Sequence, residues 1–179
     1  MKKLISVVLA AMMMLCAAAL AEDTVLESAD TFRITVDAPE GYTFAEADYG
    51  DFIGGLFKPD DANEKPYYTL LIAYSEEYAA RFGHESTLND LSEDELNAAI
   101  ADLTSDFADP QITVAVTGLG TKVIIANEQG SESEFATILT VYHGYFVQIY
   151  IDQLNGRELT EAEIQTGLDI MTSLTLIEG

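Results

Sequence analysis

Cysteine, basic residues and tryptophan are what this chain lacks. Its 179 residues hold one cysteine, no tryptophan, two histidines, and eight Lys and Arg against 31 Asp and Glu. The single cysteine, Cys16, lies in the apolar run from Leu4 to Leu20, which follows Lys2 and Lys3. Ala19-Leu20-Ala21 then places small residues at −3 and −1 before the polar Glu22-Asp23, the pattern of a cleaved signal peptide. Cys16 follows Met13-Met14-Leu15 with no small residue directly before it, so lipidation at this cysteine is not expected. Cleavage after Ala21 leaves 158 residues without a cysteine, one domain from 22 to 179 that must rest on its core without disulfides. Thiolate catalysis and cysteine-ligated metals are excluded.

Scarcity of positive charge excludes other partners. Loss of Lys2 and Lys3 leaves six basic residues against 31 acidic ones. A surface of that sign repels nucleic acid and anionic headgroups, so neither nucleic acid nor, once the signal is removed, a membrane is an expected partner. The expected location is secreted or in the cell envelope.

What is present is β-structure. Glu134 to Asp152 (EFATILTVYHGYFVQIYID) reads as a hairpin turning at His143-Gly144. Pairing Tyr142 with Tyr145 puts Ala136, Ile138 and Thr140 on one face with Val147, Ile149 and Ile151. Phe135, Thr137, Leu139 and Val141 share the other face with Phe146, Gln148 and Tyr150. Both faces are largely apolar, which predicts a sheet covered on both sides.

In chain order, Thr31 to Val36 predicts a strand, Asp37 to Tyr42 a Pro-Gly turn, and Asp48 to Lys58 a second strand. Gly54-Gly55 within it suggests a bulge or a close backbone approach. Tyr67 to Tyr74 predicts a central strand, and Ser75 to Phe82 a short helix ending at Gly83. Ser92 and Glu95 form a capping box opening a helix with Leu96, Ile100, Leu103 and Phe107 on one stripe, ending near Asp109-Pro110. Gln111 to Val116 and Thr121 to Asn127 pair across Thr117-Gly118-Leu119-Gly120. Thr160 and Glu163 repeat the capping spacing before Ile164, Leu168, Met171 and Leu174, in the last expected element. The fold class is α+β: a mostly antiparallel sheet of about six to seven strands covered by helices.

A strand leading into Ala38-Pro39-Glu40-Gly41-Tyr42, a mid-chain amphipathic helix, antiparallel strands ending in the His143-Gly144 hairpin, and a closing helix together resemble the PsbP-like α/β/α sandwich. The resemblance implies a non-catalytic accessory or interaction domain and carries no catalytic residues over; the expected partner is a protein, and no cofactor is expected.

Three functional classes follow. An interaction module would use the aromatic residues at the hairpin tip, Tyr142 and Tyr145 with His143 between, as its contact patch. A calcium-binding module would use Asp60-Asp61-Ala62-Asn63-Glu64, with Asp48 and Asp51 flanking another loop, but the spacing matches no EF-hand. A small hydrolase would need His84, in Arg81-Phe82-Gly83-His84-Glu85-Ser86, or His143 beside a nucleophile. The first is the expected function, and no metal or catalytic residue is assigned.

Overall fold

A hairpin that is apolar on both faces has to lie in the middle of a covered sheet, and it does. The computed structural model describes residues 24–27, 32–49, 52–74, 80, 87–107, 109–128, 135–142, 145–153 and 157–178. The expected signal segment, the helix over Ser75–Phe82, His84 and the His143-Gly144 turn lie outside the described residues. The strands are β1 Thr24–Glu27, β2 Phe32–Val36, β3 Tyr42–Tyr49, β4 Phe52–Pro59, β5 Tyr67–Tyr74, β6 Gln111–Val116, β7 Lys122–Glu128, β8 Phe135–Tyr142, β9 Tyr145–Asp152 and β10 Thr175–Glu178. The helices among the described residues are α1 Glu93–Leu103 and α2 Glu161–Ser173, with a 3-10 turn over Leu88–Asp90.

Seven strands form one open antiparallel sheet in the order β3-β4-β5-β9-β8-β7-β6. β8 and β9 pair with Tyr142 opposite Tyr145 and Ile138 opposite Ile149, the register that the apolar pattern predicts. The two faces carry separate cores. On one, Leu168, Ile170 and Met171 of α2 pack over Phe57, Leu70, Ile72, Ile138, Ile149 and Ile151. On the other, Leu88, Ala99 and Leu103 pack over Ile124, Leu139 and Val141. One helix on each face makes this the expected α/β/α arrangement, and burying the hairpin from both sides is the main stabilising term.

Helix α2 lies close to the sheet because position 167 is glycine. A Cβ there would come within 2.8 Å of Ile138 Cδ1 and 3.0 Å of Ile151 Cδ1. Both expected capping boxes form: Ser92 with Glu95, and Thr160 with Glu163. A third, Thr87 with Asp90, opens the 3-10 turn.

Three expectations are corrected, and a fourth, at Gly54-Gly55, is decided between its two alternatives. The segment from Asp48 to Lys58 is not one strand: β3 and β4 form a hairpin, with Tyr49 opposite Phe52. Gly54 and Gly55 sit in continuous register on both sides, so there is close approach without a bulge. Helix α1 stops at Leu103 rather than near Asp109-Pro110. Thr104 turns its hydroxyl back onto the Ile100 carbonyl at 2.7 Å, and the following Ser105 and Asp106 are weak helix formers. Finally, α2 is not the last element. Leu174 is extended (φ −62°, ψ 124°), and β10 adds to β2, which also pairs with β1 in a separate three-stranded sheet.

Candidate functional site

The contact patch expected at the hairpin tip is described only in part. Tyr145 is half-buried and lines a cleft of about 240 Å³ between the sheet and the C-terminal end of α2. His143 and the Tyr142 side chain lie outside the described residues. Thr140, Val147, Met171 and Leu174 complete much of the wall, and Leu119 enters from the turn after β6. The Thr140 hydroxyl donates to the Lys122 carbonyl at 2.9 Å. Among the described residues that line it there is no carboxylate, imidazole or ammonium; they offer apolar contact and hydroxyl groups.

The turn bringing Leu119 there is the one expected from Thr117 to Gly120. Gly120 has φ +84° and donates its N–H to the Thr117 carbonyl at 2.9 Å. Leu119 is 73% exposed, the most exposed large apolar side chain among the described residues. Strand β6, just before it, closes one end of the sheet and has no partner strand on its outer side among the described residues. Its Ile112, Val114 and Val116 fall on one face by the two-residue repeat and are 36%, 43% and 60% exposed. The sequence QITVAV contains no charge, in a chain where 22% of residues are charged.

The opposite face of the sheet carries a wider, half-open cleft of about 580 Å³ beside α1. Phe107, Phe135, Phe146 and Tyr150 contribute rings to it, Gln148 lies among them, and Asp102 and Asp106 come from α1 and the turn after it. Nothing in the linear sequence joins these positions. They meet because β8, β9 and the end of α1 converge.

In the acidic loop, Asp61 bonds to Asn63 and Glu64 is met from outside the loop. Asp61 Oδ1 accepts from the Asn63 backbone N–H at 2.9 Å and from Asn63 Nδ2 at 3.3 Å. Arg157 donates to the Glu64 carbonyl at 2.7 Å. Among the described residues, no group of three or more His, Cys, Asp or Glu is placed to hold a metal ion. Among those same residues, no helix is long and apolar enough to cross a membrane.

One polar cluster is densely bonded. Arg157 donates to both carboxylate oxygens of Glu163, Nη1 reaching Oε2 at 3.0 Å. The Thr160 N–H reaches the same Oε2 at 2.8 Å, and the Tyr68 hydroxyl donates to the Glu163 carbonyl at 2.8 Å. Burial acts to raise the Glu163 carboxyl, but hydrogen bonds from Arg157 and Thr160 outweigh it and hold it below the usual carboxylate range. Burial, reinforced by the neighbouring Tyr42, drives the Tyr68 hydroxyl well above the usual tyrosine range, so it remains a donor. The Tyr42 and Tyr68 rings meet edge to face at 5.3 Å. This cluster ties the 157 loop, the start of α2 and β5 together, a structural role.

It gives a pH prediction. Because the folded state depresses the Glu163 pKa, the stabilisation is fully present above the unfolded value. It is lost as pH falls through the lower folded value. Glu163→Gln should therefore lower stability at neutral pH by about 1–2 kcal/mol. The gap to wild type should close on acidification below about pH 4. Urea midpoints measured across that range check this; a gap that does not change with pH would contradict it.

Comparison with known proteins adds little to the geometry. No family model and no curated protein matches the chain. Among solved structures, the solution structure of cyanobacterial PsbP (CyanoP) from Synechocystis sp. PCC 6803 is similar, with a TM-score of 0.44 and 10% sequence identity. The match covers 89% of this chain and 95% of that one.

Proposed function

We propose that the chain is an exported, non-catalytic accessory module that binds a protein partner by adding an extended segment of that partner to the outer edge of β6. The observation that carries this reading is the undefended apolar edge. Sheets normally blunt their edges with charge, proline, bulges or a covering element. The other edge, β3, carries Glu46, which is exposed. Strand β6 has neither a charge nor a proline and keeps unbroken register with β7 from Gln111 to Val116. Of the five exposed large apolar side chains among the described residues, four belong to β6 and its turn: Ile112, Val114, Val116 and Leu119. Such a stripe beside main-chain groups that no described strand pairs suits strand addition, in which the backbone supplies affinity and alternate side chains supply specificity.

The occupant is a different chain rather than a second copy. With a formal charge of −23, two copies repel each other as they approach, whereas a partner with apolar alternate residues and basic flanks is attracted. The Tyr142, His143 and Tyr145 turn belongs to the same reading as a secondary contact, since Tyr145 shares its cleft with Leu119.

Val116→Lys tests the edge with little effect on the fold. Val116 is 60% exposed, so the denaturation midpoint should move by no more than about 0.5 kcal/mol. A photo-cross-linking residue at position 114 of the exported chain should capture a protein in the producing cell, and this lysine should abolish the capture. Capture that persists undiminished in the Val116→Lys chain would overturn the reading.

A further inference from the structure

We propose that the cleft beside α1 is a binding site for a small organic cation, an ammonium group carried on a compact apolar body and bearing a hydroxyl. The cleft's volume, about 580 Å³, falls within the range of small-molecule sites. Its walls are aromatic: Phe107, Phe135, Phe146 and Tyr150 all line it. Ring faces are negative and attract cations, most effectively where several rings surround an alkylated ammonium that cannot form strong hydrogen bonds in competition. Asp102 and Asp106, both exposed, supply negative charge at the same opening. The chain's large acidic excess raises the local concentration of any cation.

Gln148 makes the cleft more than an aromatic dent. It is only 7% exposed, yet it lines the cleft. Its side-chain amide makes no hydrogen bond to a described residue. Its amide atoms reach the open space of the cleft, where a molecule entering it can bond to them. The Thr137 hydroxyl is fully buried without a partner, on the same face, directly opposite the cleft-lining Tyr150 and two residues from the cleft-lining Phe135. The floor therefore offers an amide that no described side chain engages, while the walls favour a cation. A ligand with a hydroxyl at one end and an alkylated ammonium at the other satisfies both.

The test uses choline as probe and its uncharged carbon analogue, 3,3-dimethylbutan-1-ol, as control, each titrated at fixed ionic strength into the whole mature domain and followed by NMR. Choline should produce saturable shifts confined to the Gln148 side-chain amide and the Phe107, Phe146 and Tyr150 rings. The neutral analogue should bind about tenfold more weakly, the usual order for loss of a cation–π contact in a shielded site. Asp102→Asn with Asp106→Asn should weaken choline in the same direction while leaving the spectrum of the free domain folded. Gln148→Met, which keeps the bulk and removes the amide, should weaken choline more than it weakens tetramethylammonium, which has no hydroxyl. Equal binding of choline and the neutral alcohol would overturn the proposal. So would shifts that rise linearly over the whole acidic surface, or tighter binding of acetyl-arginine amide, which would reassign the cleft to a basic side chain of a protein.

Discussion

Gly54→Ala should cost about 3 kcal/mol or more, the upper end of what overpacking a well-formed interior produces. Gly54 is buried in β4 opposite Leu71 of β5. A Cβ at this position would fall on the Leu70 carbonyl oxygen, with Leu70 C at 2.9 Å and Leu71 Cα at 3.3 Å. The obstacle is main chain, so it cannot be relieved by turning a side chain; the β4–β5 ladder itself has to shift. Removing a glycine from a strand would by itself favour the folded state by about 0.5–1 kcal/mol. That term has the opposite sign and is too small to win. For a domain of this size the melting temperature should fall by roughly 6–12 °C. An unchanged or raised melting temperature would show that β4 and β5 do not approach as closely as described.

Ile149→Ala should cost about 2–5 kcal/mol. Ile149 is fully buried in β9, the middle strand of the seven, between Leu70 of β5 and Ile138 of β8, which are also fully buried. Truncation loses the transfer energy of the side chain and leaves a void bounded by two ladders and α2, none of which can close in without breaking register. Val116→Ala is the matched control: at 60% exposure it should change stability by less than about 0.5 kcal/mol. Guanidinium denaturation of both variants measures the contrast. Comparable effects at the two positions would contradict the placement of the hairpin at the centre and of β6 at the edge.

These two residues also show what could be read from the chain directly. Ile149 belongs to a segment whose alternation is apolar on both faces, and only a covered central hairpin accommodates that. The register from Tyr142–Tyr145 to Phe135–Asp152 then follows from the turn. The caps at Ser92 and Thr160 were equally legible, because a capping box is a local device whose partners lie three residues apart. Strand β3 was not. In YTFAEADY the alternation is diluted by Ala45 and Ala47, and the chain reverses between Tyr49 and Phe52 without a strong turn signal. Strands β1 and β10, four residues each, are too short for any periodicity and exist through their pairing with β2.

The candidate sites were the least legible part, for a topological reason. QITVAV reads in isolation only as one strand of a pair with the segment from Thr121 to Asn127. It is exposed because the sheet order ends at β6, and strand order is a long-range property. The aromatic cleft likewise joins Phe107, Phe135 and Gln148, which share no motif. Gln148 alone gave a local hint, as the polar residue between Val147 and Ile149 in an otherwise apolar run.

Site-specific photo-cross-linking along the two edges of the sheet tests the central claim most directly. The reactive residue is placed at Val114 on β6 in one chain and at Glu46 on β3 in another, both exported by the producing cell. Capture of a distinct protein at position 114, with none at position 46, is the result expected of a domain that works through an undefended edge. Equal capture at both positions, no capture at 114, or capture only of a second copy of this chain would contradict it.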